Sequence, residues 1–230
     1  MKTTQIKERV ALIPVREGSE RVKSKNFKPF YQDRSLTDIK IAQLKNSEIF
    51  DKIYISSDSE RVSEIAEAQD IEFIHRHSNM CQAHTPWSDV VCHIMDTIPG
   101  NPQVTWALTT APLFSRFDQA IREFDNLNGK HDSLVGVLPK KSFFINKHGR
   151  GINFNPGPWH PYSQQLETYF EVTGSIYIGM KEDMLKWQYW FGTKPHLFEV
   201  NNSEGIDVDT PDDFSIAQKL YEVCNENPNS

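Results

Sequence analysis

The chain is poor in the features that announce common chemistries. It has three cysteines in 230 residues, Cys81, Cys92 and Cys224, and no C-x-x-C pair. That argues against a disulfide framework or a thiolate zinc site and leaves reduced thiols. The eight histidines form no H-E-x-x-H; His75 and His77, two residues apart, read as structural or exposed rather than as ligands. Neither G-x-G-x-x-G nor G-x-x-x-x-G-K-[ST] occurs, so the dinucleotide fingerprint and the P-loop are both absent. No apolar run approaches the ~20 residues that cross a bilayer. The N-terminus, MKTTQIKERV, is polar and lacks the apolar stretch of a signal peptide. A net charge of −6 and a pI near 5.8 argue against a nucleic-acid surface, which leaves a basic footprint. The expectation is a soluble cytoplasmic protein without nucleic-acid or membrane partners. It should fold as one domain over residues 1–230, with core enough to need no disulfide or metal.

What is present is concentrated in Val10–Phe30, VALIPVREGSERVKSKNFKPF. An apolar run that suits a buried strand stops at Arg16. A Gly18-Ser19 turn follows, with Arg21, Lys23 and Lys25 after it. Small residues expose backbone N–H groups, and fixed positive charge surrounds them: this is how a loop holds phosphates. Arg16 and Lys25 are its strongest members. Glu17 and Glu20 are costly beside a triphosphate and are expected to point outward.

Strand-like and helix-like patches then alternate. Strands are expected at 10–15, 52–56, 72–74, 105–109, 174–178 and 198–200, and helices at 36–46, 59–69, 88–97, 116–126 and 211–223. Ser57 or Asp58 would cap the second helix, and Thr210 the last, with Pro211 in its first turn. Asp38 and Lys40 are assigned to an exposed helix face. The rhythm predicts an α/β domain with a mostly parallel sheet and helices on both faces. Ligands on such sheets lie at the C-terminal strand ends. Arg16, Asp58, Arg76 and Thr110 all follow strand ends and should share one crevice. The rhythm lapses over residues 139–170, where glycines and prolines interleave with Phe143, Phe144, Phe154, Trp159 and Tyr162. An arm packed on a second subunit and a cap over the chain's own site both suit that composition. Trp187, Tyr189, Trp190 and Phe191 form an aromatic cluster read as core packing, with a lid as the sharper reading.

The other chemistry-bearing stretch is Ile206-Asp207-Val208-Asp209-Thr210-Pro211. In an extended segment i and i+2 project to one side, so both carboxylates reach one hard cation. Mg²⁺ is held by one or two carboxylates plus substrate phosphates. A helix start with a capping Asp explains the same residues without a ligand.

These stretches resemble the cytidylyltransferases that make CMP-activated acid sugars, the N-acylneuraminate type in particular. R-x-G-S-x-R-x-x-x-K-N matches the family's phosphate loop, and GIDVDTPDDF its I-D-I-D-T-P-x-D-F signature. Between them, IYISSDSERVSEIA, His75-Arg76, LTTAPL, Gly174–Tyr177 and Gln164 fall in the family's order, from Val10 to Ala217. The resemblance implies a three-layer, Rossmann-like nucleotidyltransferase domain with a small dimerisation arm, and hence a homodimer. It implies CTP held by Arg16, Gly18, Ser19, Arg21, Lys25, Asn26, Asp58 and Arg76, and Mg²⁺ held by Asp207 and Asp209. Arg16, Lys25 and Asp209 would carry catalysis, and Leu108, Thr110, Gln164, Thr173 and Tyr177 would meet the acceptor. The departures lie on the acceptor side: Leu108 stands for a glutamine, Thr173 for an asparagine and Ser163 for an arginine. The expected reaction is CMP transfer from CTP to an acidic, nonulosonate-like sugar with release of pyrophosphate. A cytidylyltransferase for a phosphonate or other non-sugar acid, and a catalytically weak nucleotide-binding regulator of the same fold, stand as alternatives.

Overall fold

A computed structural model describes residues 8–18, 21–82 and 84–226. The chain order is β1 (Arg9–Pro14), α1 (Leu36–Asn46), β2 (Lys52–Ser57), α2 (Glu60–Ala68), β3 (Glu72–His75), α3 (Trp87–Thr97), β4 (Gln103–Trp106), α4 (Phe117–Asp125), β5 (Ser133–Lys140), β6 (Tyr169–Met180), α5 (Lys181–Trp187), β7 (Pro195–Glu199) and α6 (Pro211–Glu226). The seven strands form one sheet, ordered β3-β2-β1-β4-β6-β5-β7, in which β6 runs antiparallel to its neighbours. The expected α/β, mostly parallel architecture is what forms.

β1 shows why the sheet needs both faces covered. Successive side chains of a strand point to opposite faces. Ala11 and Ile13 enter one core, with Ile41 and Leu44 of α1, Val62 of α2 and Phe117 of α4. Val10 and Leu12 enter the other, with Val91 and Ile94 of α3 and Met184 of α5. A third cluster joins Phe30, Leu36 and Ile39 to Val208 and to Phe214 and Ala217 of α6. It docks the last helix, and the segment just before it, beside the first loop.

Element bounds follow the sequence signals closely at α1, whose Ser35 N-cap and Asp38 form a reciprocal capping box. The N-cap position of α2 is Ser59, not Ser57 or Asp58, and its side chain makes no capping hydrogen bond. The fourth strand ends at Trp106 rather than at residue 109, because the chain turns there, Ala111 N donating to Leu108 O at 3.3 Å. β5 and α5 had no clear sequence signal. β5 is flanked on both sides only to Val137; beyond it Leu138, Pro139 and Lys140 pair with β6 alone. Pro139 thus sits on a free edge, where a missing N–H costs nothing. Trp187, Trp190 and Phe191 pack against the second core, as expected of core aromatics.

Lys40 corrects the sequence reading. Far from lying on an exposed face, it is 0% exposed, and Asp38 is occupied in the capping box. The Lys40 Nζ donates to Ala111 O at 2.9 Å and Phe114 O at 3.2 Å. One turn later Gln43 Nε2 donates to Pro112 O at 2.6 Å. α1 thereby holds the loop that follows β4. Burial lowers the Lys40 pKa from 10.5 to about 7. Between those values the unfolded chain keeps a proton that the folded state has released, so unfolding takes up a proton and stability rises with pH. Chemical denaturation from pH 7 to 10 should show this rise, approaching ~1.4 kcal/mol per pH unit. It should flatten in Lys40→Met; an identical slope in the two proteins would show that Lys40 is not the group responsible.

Candidate active site

The carboxyl ends of β1, β3 and β4 open onto one crevice, a cavity of about 450 Å³. Arg16, Arg21, Lys25, Asn26, Arg76, Thr110, Asp207 and Asp209 all line it. The first loop is pinned from inside. Asn26, 5% exposed, donates through Nδ2 to Arg16 O at 3.0 Å and accepts the Thr109 hydroxyl at 2.9 Å. Its side chain is thus committed to holding the loop in register with the β4 end. Gly18 is exposed and stands outside the lining, as does Glu17, which points to solvent as expected. Ser19 and Glu20 lie outside the described residues.

Arg21 and Lys25 converge on one carboxylate. Arg21 Nη2 lies 3.0 Å, and Lys25 Nζ 3.2 Å, from the same oxygen of Asp209. Lys25 also donates to Val208 O. The two cations therefore meet at one anionic point, and Arg16 opens onto the same crevice. Arg76, 4% exposed, is used partly as a tie: its Nη2 donates to Val15 O and, at 2.9 Å, to Ser56 O, joining the ends of β1 and β2. Its burial lowers its pKa, while Cys81 and Asp58 beside it act the other way. Asp58 is not part of the lining; it sits by Arg76 and Cys81, whose thiol is pushed up in pKa first by burial.

The acidic segment is placed by its middle residue. Val208 is 0% exposed, and its N–H donates to Thr110 O at 2.8 Å. With Val208 inward, Asp207 and Asp209 both reach the crevice, as the i, i+2 spacing requires. Thr210 caps α6: Asp213 N donates to its hydroxyl at 3.2 Å, and Asp213 Oδ2 accepts from Thr210 N at 2.8 Å and Asp209 N at 3.2 Å. The helix-start and the crevice readings of the motif are thus both realised, by different residues of it.

Asp207 is exposed to the crevice, and its pKa is raised. Desolvation is the main cause, and Asp209 adds to it; the Thr110 hydroxyl, Lys25 and Arg21 pull the other way. Gly174 of β6 leaves it room: a Cβ there would lie 3.4 Å from the Asp207 carboxyl carbon and 3.3 Å from Leu108 Cδ1. Among the described residues no group of three or more His, Cys, Asp or Glu could hold a metal by itself. A pair of carboxylates, one of them unfavourably charged where it stands, fits a hard cation that takes its other ligands from substrate phosphate and water.

The expected acceptor residues do not all gather here. Leu108 and Thr110 line the crevice. Thr173 does not: it is buried, its hydroxyl donating to Gly136 O at 3.0 Å and lying 2.6 Å from Ser175 Oγ. Gln164 lies outside the lining, in a short exposed turn (Ser163–Gln165), where its carbonyl accepts from Lys141. Tyr177 is 6% exposed, stacks on Phe191 and has its pKa raised, first by burial and then by Asp207. Met80, Cys81, Gln82, Thr85, Trp87 and Val90 line the crevice without a prior signal.

Residues 10–116 match the family model described as Cytidylyltransferase. The pseudaminic acid cytidylyltransferase of Campylobacter jejuni is 26% identical over 230 residues, covering 94% of this chain and 97% of the relative. The CMP-N,N'-diacetyllegionaminic acid synthase of Legionella pneumophila is 27% identical, with 94% and 97% covered. Among solved structures, a CMP:2-keto-3-deoxy-manno-octonic acid synthetase complexed with CTP superposes with a TM-score of 0.68 at 13% identity, covering 94% of this chain and 99% of that one; it speaks to the fold. Fold, crevice and matches define the class, a CTP-dependent nucleotidyltransferase. Within that class they support the CMP-sugar cytidylyltransferase family, the family the motifs resemble.

Lys25 is a direct test of the electrostatics. In Lys25→Met, the Asp207 carboxyl should titrate at a still higher pH than in the parent protein, since one of the charges holding it down is gone. Carboxyl-carbon NMR titration reads this; an unmoved or lowered Asp207 titration would show that Lys25 does not govern the pair.

Proposed function

We propose that the protein transfers CMP from CTP to an acidic, nonulosonate-like sugar, releasing pyrophosphate. The observation that carries this reading is the pairing, across one crevice, of the Asp207/Asp209 carboxylates with the Arg16, Arg21 and Lys25 cations. The names of the relatives, which act on pseudaminic and diacetyllegionaminic acids, support the acceptor class.

The reaction forms a bond from an acceptor hydroxyl oxygen to the α-phosphorus, with its proton released to solvent, and breaks the bond to the bridging oxygen of pyrophosphate. Such a transfer needs positioning and charge neutralisation more than covalent protein chemistry. Arg16, Arg21 and Lys25 bind the β- and γ-phosphates, the last two exchanging Asp209 for substrate oxygens. Asp207 and Asp209 would hold Mg²⁺. When bound, that ion supplies neutralisation of the charge that develops on phosphate oxygens. Arg76 and Asn26 orient the strand ends on which the phosphate loop rests. Met80, Cys81, Gln82 and Thr85 complete the nucleotide side. No helix among the described residues is long and apolar enough to cross a membrane, in keeping with a cytoplasmic enzyme.

Pyrophosphate release from CTP, Mg²⁺ and nonulosonate acceptors tests the assignment. Asp209→Asn should lose roughly two to four orders of magnitude in kcat while keeping its fold by circular dichroism. Turnover at the parent rate in saturating Mg²⁺ would remove Asp209 from the site.

We also propose a homodimer built through the segment between β5 and β6. Trp159 is 92% exposed, Tyr162 77%, Ile145 63% and Ile152 59%, an apolar display that soluble monomers seldom tolerate. The segment is not shapeless: Phe143 stacks on His160 at 4.5 Å, and Phe154 closes on both rings. It therefore presents a preformed surface. Sedimentation at micromolar concentration should show a dimer, and deletion of residues 146–158 a monomer that still binds CTP. A parent protein sedimenting at 26.6 kDa would make the segment a cap over its own site.

A further inference from the structure

The carboxylate pair divides the crevice into two sides. Asp209 faces the first loop through Arg21 and Lys25. Asp207 faces β6, against Gly174 and Leu108 and within the electrostatic reach of Tyr177. In an in-line displacement, attacking and leaving oxygens stand on opposite sides of phosphorus. With pyrophosphate drawn to the cationic loop, the attacking acceptor is left the β6 side.

That side is short of hydrogen-bonding side chains. Leu108 is hydrocarbon, and Gly174 has no side chain. The Thr173 hydroxyl next to it is spent on Gly136 O and Ser175. Tyr177 is buried with its ring stacked 6.0 Å from Phe191. The Thr110 hydroxyl is bonded to Asp207. Trp87, half exposed, and Val90 extend the same lining with further apolar surface.

We propose that Leu108 is a specificity-determining residue. It selects acidic sugars that turn a hydrocarbon group to this wall, a deoxygenated carbon or an acyl methyl, over sugars that present a hydroxyl there. The inference rests on the proposed cytidylyl transfer and adds the acceptor's chemistry to it. The expected discrimination is moderate. An apolar wall rejects an added hydroxyl by only ~10²-fold, whereas a wall built to hydrogen-bond it rejects the deoxygenated analogue far more strongly.

The test compares kcat/KM for two acceptors, by pyrophosphate release with CTP and Mg²⁺. One is a di-N-acetylated, deoxygenated nonulosonate; the other is N-acetylneuraminate. The parent protein should favour the first by about 10- to 100-fold. Leu108→Gln should cut that ratio at least about tenfold through the acceptor KM, with the KM for CTP unchanged, and Leu108→Met should keep it, which separates specificity from simple loss of packing. An equal or reversed preference in the parent protein, or a ratio that Leu108→Gln leaves untouched, overturns this proposal while leaving cytidylyl transfer standing. Absence of pyrophosphate with either sugar overturns the proposed function and this inference with it.

Discussion

Two carboxylates held two residues apart in one crevice repel each other, and much of the surrounding structure answers that repulsion. Asp209 is met by Arg21 and Lys25. Asp207 is met by the Thr110 hydroxyl, with Lys25 and Arg21 acting at longer range, and still its carboxyl resists ionisation. The residual imbalance is useful. A site whose charges already cancelled would gain little from a cation, whereas this one would be improved by it. The first loop, the loop after β4 and the start of α6 come from distant parts of the chain, and each contributes a group to this balance.

Holding those three segments together is the task of the interior. Val208 enters the cluster that seats α6, Asn26 bridges the first loop to Thr109, and Lys40 with Gln43 ties α1 to the carbonyls of residues 111, 112 and 114. Lys40 is an uncommon choice, since a lysine is seldom wholly buried without a carboxylate beside it. Backbone carbonyls take that place, and the depressed pKa records the cost.

Most of the fold was legible because its signals are local. β1 is an unbroken apolar run, and α1 has helical spacing with a cap at its start. The less legible parts depend on partners distant in sequence. Lys40 looks like a surface residue until the 111–114 turn folds over it. β5 carries a proline that only the short length of β7 makes harmless. Among the residues lining the crevice, Arg16, Lys25, Asp207 and Asp209 could be read from motif spacing, Arg16 just after a strand and Asp209 just before a helix. The direction of Thr173 could not, because strand register decides which side chain faces Asp207 and Leu108, and here that position falls to Gly174. The lining from Met80 to Trp87 has no periodicity to read.

The burial of Val208 also limits how this segment can change. Its side chain is seated against α6 and its N–H is bonded to Thr110, while Thr210, two residues on, already caps the helix. Between those anchors the spacing is quantised. A one-residue insertion or deletion would trade faces, sending a carboxylate into the apolar seat and a valine toward the crevice. Neither the core nor the crevice would survive the exchange. The hexapeptide from Ile206 to Pro211 can therefore vary in composition at some positions but not in length.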